Sequence, residues 1–210
     1  MNRRKAVRQL IFAVSLALAP AAQAQEPDDA GAKLLAAASP LGDRVLGQAD
    51  APVVMVEYAS ATCPHCAEFH TNVLPLIKAE YIDSGKLRFI FREFPLDRAA
   101  LAASMLARCV PDDKYFATID LIFRRQSIWM KADRAAELLK ITQMAGMDKA
   151  GFDACLARPE LAKAIIESSR QAARDFAIKG TPAIFVNGEM IDGHKEMADV
   201  KAAIDAAISK

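Results

Sequence analysis

The stretch VVMVEYASATCPHC, residues 53–66, contains the two features that decide the fold. Its first six residues are apolar at nearly every position, which is typical of a central strand covered on both faces. Cys63 and Cys66 follow where this strand pattern gives way to a helical pattern that extends to about residue 83. Two cysteines at this spacing form an intramolecular disulfide or bind a metal.

The position of Cys63 at the junction of strand and helix favours redox chemistry. The unpaired N–H groups of the first helical turn point at its sulfur, and together with the helix dipole they favour a thiolate. Cys66 lies one turn further along and can attack a mixed disulfide formed at Cys63. Two alternatives remain open: a structural disulfide, and a zinc or copper site made by Cys66, His70 and His65. In the redox interpretation, His70 is expected on the helix surface.

The sequence that follows the cysteines completes a βαβ unit. Apolar residues recur at helical spacing through residues 64–83, and Pro75 lies inside this helix, where we expect a kink. Residues 87–94, LRFIFREF, then give a second strand pattern. Strand, crossover helix and strand in this order are typical of an α/β fold.

A long helical block interrupts the α/β pattern. Residues 97–161 are rich in Ala, Leu, Met, Lys and Arg, show no strand-like alternation, and predict three or four helices. Strand character returns at residues 182–186, followed by Asn-Gly, which favours a type I′ hairpin turn. We therefore predict an α/β fold formed by residues 41–96 and 162–210, with residues 97–161 as an inserted all-helical domain.

The amino terminus has the features of a secretory signal peptide. Four basic residues among the first eight precede an apolar run at residues 10–19, and Ala-Gln-Ala at residues 22–24 fits a cleavage site after Ala24. An uncleaved membrane anchor is the alternative, although ten apolar residues are about half of what spans a bilayer. Residues 1–24 thus predict export to an oxidising compartment, the periplasm, where paired cysteines persist. Residues 25–40 show no clear period and are expected to form a flexible lead-in.

Composition and charge exclude several classes of protein. The chain of 210 residues is 53% hydrophobic and 25% charged, with 9 Gly and 10 Pro, which argues against disordered, collagen-like and low-complexity proteins. Its 27 basic and 26 acidic residues give a formal net charge of +1. Because no basic excess is present to hold a phosphate backbone, a nucleic acid is not expected as a partner.

Two motifs resemble the DsbA family of exported thiol:disulfide oxidoreductases. Residues 56–66, VEYASATCPHC, look like the active-site strand and helix of that family, in which Pro-His is the typical dipeptide between the cysteines. Residues 180–188, GTPAIFVNG, resemble the family's segment with a cis-proline that faces the cysteines. The helical block between them matches the family's insertion in a thioredoxin fold, so the likeness covers about residues 40–210. The loop at Gly193-His194 departs from the pattern.

The resemblance implies a role for each residue of the Cys-Pro-His-Cys motif. Cys63 would be the exposed, attacked sulfur, and Cys66 the buried partner that resolves or re-forms the disulfide. Pro64 and His65 complete the motif, and His65 would stabilise the Cys63 thiolate by charge and hydrogen bonding. Glu57 matches the family's buried carboxylate beneath the disulfide, where burial would suit it to proton exchange with Cys66. The alternative for Glu57 is a solvated charge at a sheet edge.

The same resemblance gives roles to residues further along the chain. Pro182 would be cis, and the backbone of Thr181 would pair with a substrate strand. Some DsbA-like proteins carry a second disulfide in the helical block, so the resemblance favours a structural disulfide between Cys109 and Cys155. Two free buried thiols are the alternative for these residues.

The resemblance implies an enzyme, a DsbA-like dithiol oxidase that donates the Cys63–Cys66 disulfide to reduced, folding exported proteins. This disulfide would be the redox centre, with no metal and no other cofactor. Reduced or unfolded exported proteins and a membrane DsbB-like reoxidant are the expected partners, and a monomer is expected. The alternatives are a disulfide reductase or isomerase of the same fold and a thioredoxin-fold metal-binding carrier.

Overall fold

The computed structural model describes residues 28–36, 39–191 and 197–210. The predicted signal peptide, residues 1–24, and the loop that contains Gly193 lie outside the described residues. Within the described part of the chain, no helix combines the length and the apolar character needed to cross a bilayer.

The described residues form strands and helices that follow the predicted order closely. The strands are β1 (Arg44–Leu46), β2 (Val53–Ala59), β3 (Leu87–Glu93), β4 (Ala183–Val186) and β5 (Glu189–Met190). The first three α-helices are α1 (Asp28–Ala36), α2 (Pro64–Glu68) and α3 (Leu74–Ile77). The remaining α-helices are α4 (Arg98–Cys109), α5 (Tyr115–Arg124), α6 (Gln126–Trp129), α7 (Arg134–Met144), α8 (Lys149–Leu156), α9 (Pro159–Asp175) and α10 (Met197–Ile208).

The strands form one mixed sheet in the order β1-β3-β2-β4-β5. β2 and β3 run parallel, as the predicted βαβ unit requires, and Glu57 of β2 is paired with Phe91 of β3. β4 runs antiparallel to β2 on its other side and places Ile184 opposite Glu57. The hairpin between β4 and β5 turns at Asn187 and Gly188, whose φ values of 46° and 88° confirm the predicted type I′ geometry.

β2 is the central strand, and its side chains alternate between two apolar cores. Met55 and Ala59 belong to the larger core, which the sheet forms with the helix after β2 and with the helical block. Val56 and Tyr58 belong to the smaller core on the opposite face. Because side chains alternate along a strand, Glu57 lies on the face of the larger core, where it is fully buried. The prediction of a strand covered on both faces is confirmed.

The helical block lies between β3 and β4 in the chain. Its residues 97–161 contain five complete α-helices, α4 to α8, and the first turn of α9, rather than the predicted three or four helices. The predicted boundary between residues 161 and 162 falls inside α9, which begins at Pro159 and ends at Asp175. Proline is favoured in the first turn of a helix, so the turn before Pro159 is the better boundary between block and sheet.

Helix α1 corrects the prediction that residues 25–40 form a flexible lead-in. Leu34 of α1 is fully buried in the smaller core. Its carbonyl oxygen accepts a hydrogen bond of 3.0 Å from Arg92 of β3, and the same guanidinium donates to the Tyr58 hydroxyl at 2.8 Å. Contacts with the sheet therefore hold this short helix, and its own apolar pattern was too weak to predict it.

The helix after β2 is interrupted by two π-helical segments, Phe69–Val73 and Lys78–Ile82. Pro75 lies in the first turn of α3, the short α-helix between them, where its missing N–H breaks no hydrogen bond of that helix. The irregularity expected at Pro75 therefore takes the form of a π-helical turn just before it. A π turn holds more residues than an α turn, and His70 in this turn is buried.

Candidate active site

Cys63 is the N-cap residue of α2 and has an extended backbone, with φ −77° and ψ 121°. Its carbonyl oxygen accepts from the Ala67 N–H at 3.1 Å, which closes the first helical turn. Its side chain makes no cap hydrogen bond, but the backbone N–H groups of His65 and Cys66 are close enough to its sulfur to lower the pKa of the thiol. The junction of strand and helix is therefore as predicted. The prediction of an exposed sulfur is wrong in degree, because Cys63 is only 7% exposed.

The hydrogen bonds around its sulfur lower the pKa of Cys63 to about 5. The largest cause is the hydrogen bond that the Cys66 thiol donates, and the backbone N–H groups of Cys66 and His65 add to it. Burial acts in the opposite direction, because it disfavours the charged form. At neutral pH, Cys63 is therefore a thiolate, which is the nucleophilic form of the side chain.

Cys66 has the opposite acid–base character. The residue is fully buried, and this burial raises the pKa of its thiol far above the usual range. Its hydrogen bond to Cys63 and the nearby charge of Glu57 act in the same direction. Both cysteines are free thiols in the structure. The pair therefore holds its negative charge on Cys63 and its proton on Cys66.

Glu57 and His70 form a buried, hydrogen-bonded pair on the same face of the sheet as the cysteines. The Nε2 of His70 lies 2.9 Å from Oε2 of Glu57, and the two side chains are 3% and 0% exposed. Glu57 is thus a buried carboxylate, and the alternative of a solvated edge charge is excluded. The expectation that His70 lies on the helix surface is wrong. The signal available in the sequence was its spacing, since His70 follows Cys66 by four residues and shares its helix face.

The second sequence motif meets the first at the Cys63 sulfur. The Thr181–Pro182 peptide bond is cis, as predicted. The backbone oxygen of Thr181 lies only 3.1 Å from Sγ of Cys63, within hydrogen-bond distance of the thiol when Cys63 is protonated. Pro182 is buried beside the sulfur-bearing turn. Two segments 118 residues apart in the chain therefore form one site.

Pro64 and His65, the two residues between the cysteines, face outward. Pro64 occupies the first turn of α2 and is exposed. The His65 side chain is 79% exposed, and its Nδ1 lies 3.9 Å from Oε2 of Glu68. In the described structure the contribution of His65 to the Cys63 thiolate comes from its backbone N–H, so the expected hydrogen bond from the ring is not present.

The sequence analysis missed one residue of the helical block that binds the active-site turn. The side-chain amide of Gln126, the first residue of α6, donates to the carbonyl oxygens of Ala61 at 2.8 Å and Cys63 at 2.9 Å. Gln126 is 9% exposed, so both hydrogen bonds are sheltered from water. A single glutamine in a helical block carries no sequence signal for such a contact.

Comparison with known proteins agrees with this geometry. The sequence model described as thioredoxin matches residues 39–206. The crystal structure of alpha-DsbA1 from Wolbachia pipientis is similar over 80% of this chain and 91% of its own, with a TM-score of 0.74 and 32% sequence identity. The chain belongs to the DsbA family. The predicted thioredoxin-like fold with a helical insertion is confirmed with it.

Two further comparisons agree with this assignment. A putative protein-disulfide oxidoreductase of Rickettsia bellii is 36% identical over 170 residues, which are 80% of this chain and 65% of that protein. The chain thus spans slightly less than two thirds of the curated relatives it matches first. The structure of oxidised BdbD from Bacillus subtilis has a TM-score of 0.69 at 22% identity, a likeness of fold alone.

The metal site considered from the sequence is not assembled in this DsbA-family structure. His70 is paired with Glu57 inside the protein, whereas the ring of His65 lies in solvent. Across the described ranges, no three or more His, Cys, Asp or Glu side chains are grouped so that they could hold a metal ion. The three residues Cys66, His70 and His65 are therefore not a ligand set in this arrangement.

The disulfide that the DsbA resemblance favoured is formed in the helical block. Cys109, the last residue of α4, is bonded to Cys155 of α8, with their Cα atoms 6.1 Å apart. Cys155 is 2% exposed. The alternative of two free buried thiols is therefore wrong, and the bond links two helices that are 46 residues apart in sequence.

Proposed function

We propose that this protein is a thiol:disulfide oxidoreductase that donates the Cys63–Cys66 disulfide to reduced, folding exported proteins. The observation that carries the proposal is the pKa of about 5 for Cys63, beside a Cys66 thiol that retains its proton. A stable thiolate favours the reduced form of the pair. The oxidised form is then a disulfide that is readily passed on.

The donation consists of two exchange steps. A substrate thiolate attacks Sγ of Cys63, the Cys63–Cys66 bond breaks, and Cys66 takes the electron pair and a proton. A second substrate thiolate then attacks the substrate sulfur of the mixed disulfide. The substrate disulfide forms, and Cys63 leaves as the thiolate that the surrounding N–H groups stabilise. The substrate is oxidised by two electrons and the cysteine pair is reduced by two.

The loop at Thr181 and Pro182 offers a binding surface next to the reacting sulfur. The Thr181 backbone lies 3.1 Å from Cys63, so a peptide that pairs with it along its main chain would bring a cysteine to the site. Recognition through the main chain is tolerant of side chains, which suits an enzyme that acts on many unfolded proteins. We therefore assign substrate binding to Thr181 and Pro182.

Export to the periplasm is part of the proposal and rests on the signal-peptide pattern of residues 1–24. In an oxidising compartment, a membrane DsbB-like protein would restore the disulfide after each turnover. No metal or other cofactor enters the proposed cycle, because the cysteine pair itself carries both electrons. A monomer suffices, because every proposed site residue belongs to one chain.

The equilibrium of the Cys63–Cys66 pair with glutathione tests the direction of electron flow. The proposal predicts a midpoint potential near or above about −200 mV, well above the roughly −270 mV of thioredoxin. Purified protein should also restore the activity of reduced, denatured ribonuclease A, and the Cys63→Ala variant should not. A potential near that of thioredoxin would favour the reductase alternative, and the absence of exchange with either reagent would refute the oxidoreductase.

A further inference from the structure

The pair formed by Glu57 and His70 uses only one oxygen of the carboxylate. Oε2 of Glu57 is bonded to His70, whereas Oε1 is buried and has no hydrogen-bond partner among the described residues. A buried carboxylate oxygen without a donor is unfavourable, and such groups in native proteins commonly have a chemical role. Cys66 is close enough for the charge of Glu57 to raise the pKa of its thiol.

His70 is held rigidly by aromatic rings. Its imidazole stacks on Phe123 of α5 at 4.1 Å between ring centres, and it meets Phe91 of β3 edge-on at 5.5 Å. Phe69, its neighbour in the π-helical turn, makes a third edge contact at 5.9 Å. The ring is therefore fixed against rotation, and its hydrogen bond to Glu57 fixes the carboxylate in turn.

The surroundings of the pair contain few other groups that exchange protons. The elements packed against Glu57 provide apolar partners, with Phe91 on β3 and Ile184 on β4. On the helix after β2, the titratable side chains in the larger core include Cys63, Cys66 and Tyr81, and the Tyr81 hydroxyl already donates to Asp205 of α10 at 2.7 Å. Glu93 of β3 is also buried, but its carboxylate is already bonded to Arg108 of α4 and to Tyr115 of α5.

We propose that His70 is a positioning residue, which holds Glu57 through Oε2 so that the free Oε1 exchanges a proton with the Cys66 thiol. The inference rests on the proposed function and deepens it. When Cys66 resolves a mixed disulfide at Cys63, its S–H proton passes to Glu57, and its sulfur then attacks Sγ of Cys63. The new S–S bond forms, and the departing sulfur leaves with the electron pair and takes a proton from solvent. The same proton returns to Cys66 when the disulfide is donated.

The test separates the two exchange steps with oxidised glutathione as the probe. Reduced protein is mixed with oxidised glutathione, acid-quenched at intervals, and the mixed disulfide is counted by mass spectrometry. In the first step the Cys63 thiolate attacks, and in the second Cys66 releases glutathione. The His70→Phe variant keeps the aromatic stack and removes the hydrogen bond. It should slow the second step at pH 7 by at least about tenfold and move its pH profile upward. The first step should change less than about twofold.

Two further variants distinguish positioning from a purely structural role. Phe123→Leu, which removes one stacking ring and keeps the hydrogen bond from His70 to Glu57, should move the pH profile of the second step much less than His70→Phe does. The Glu57→Gln variant and the double variant Glu57→Gln/His70→Phe should be equally slow in this step, because His70 acts through Glu57. If His70→Phe does not fold, His70→Leu takes its place in the same set of single and double variants.

The inference is overturned if the reductions in rate of the two single variants multiply in the double variant. It is also overturned if His70→Phe resolves the mixed disulfide with the wild-type pH profile. A wild-type protein that does not react with oxidised glutathione at all would instead refute the proposed function. The two failures are therefore distinguishable in one experiment.

Discussion

The two cysteine pairs lie at different kinds of helix end. The first pair is at the amino terminus of a helix, and the second is at the carboxyl-terminal turns of two helices. Cys63 is the N-cap residue of α2, where nearby backbone N–H groups lower the pKa of its thiol. Cys109 is the last residue of α4, and Cys155 lies in the last turn of α8. The amino terminus of a helix stabilises a thiolate, whereas the carboxyl terminus disfavours one.

We expect position in the fold, rather than the presence of a disulfide, to decide which pair reacts. At the first pair the fold stabilises the reduced form. At the second pair, the disulfide joins cysteines that are 46 residues apart in sequence and links two helices of the insertion. Arg158 lies 3.7 Å from Sγ of Cys109, but that contact is exposed and screened by solvent. We therefore expect the first pair to exchange with substrates and the second to stabilise the insertion.

We expect the strongest change in activity when one cysteine of the reactive pair is replaced. The Cys66→Ala variant should accumulate mixed disulfides with substrate proteins on Cys63, because the resolving sulfur is gone. The Cys63→Ala variant should trap none, since Cys66 is fully buried and retains its proton. Non-reducing electrophoresis of each variant after incubation with a reduced, unfolded protein and an oxidant measures the trapped species. Equal trapping by both variants would contradict the division of roles.

The second prediction removes the structural pair. The double variant Cys109→Ala/Cys155→Ala should lose about 4 kcal/mol of unfolding free energy, because a loop of this length no longer restricts the unfolded chain. Urea denaturation measures the loss. The pKa of Cys63, followed by thiolate absorbance, should stay near its value of about 5, because none of its causes lies in α4 or α8. A shift of more than one unit in that pKa would show that the two pairs are coupled.

The third prediction concerns the contact that joins the insertion to the reactive pair. Gln126→Leu should destabilise the protein by about 1–3 kcal/mol, because two buried carbonyl oxygens lose their donor. Gln143→Leu on the exposed face of α7 is the matched control and should change stability by less than about 0.5 kcal/mol. Thermal and urea denaturation compare the two. A loss no larger than that of the control would show that Gln126 does not support the active-site turn.

Local sequence patterns predicted the parts of the fold that depend on neighbouring residues. The apolar run of β2, the turn at Asn187-Gly188 and the helix start at Cys63 each follow from a few adjacent side chains. The family resemblance added the cis bond before Pro182 and the Cys109–Cys155 disulfide.

The features that were missed depend on distant partners or on irregular helix geometry. His70 lies in a π-helical turn and is buried against Glu57 of β2 and Phe123 of α5, so its burial depends on partners that its own helix does not contain. Helix α1 is held by a buried leucine and by a hydrogen bond from Arg92. Gln126 reaches carbonyl groups more than sixty residues earlier in the chain.

The stabilities of the two redox forms follow from the pKa of Cys63. A cysteine with a pKa of about 8.5 in the unfolded chain and about 5 in the folded protein contributes nearly 3 kcal/mol to the reduced form at pH 7. This contribution is complete above about pH 8.5 and is lost as the pH falls through about 5, because the folded pKa is depressed. The disulfide itself closes a four-residue loop and is worth about 2 kcal/mol in the chain-entropy model.

Urea denaturation between pH 4.5 and 8 compares the oxidised and reduced forms of Cys63–Cys66, with Cys109–Cys155 kept intact, and shows whether the fold favours the reduced pair. We expect the reduced form to be more stable by roughly 1 kcal/mol at pH 7. The order of stability should reverse at about pH 6.5, and the oxidised form should be more stable by nearly 2 kcal/mol at pH 4.5. An oxidised form that is the more stable at every pH would contradict a transferable disulfide at Cys63–Cys66.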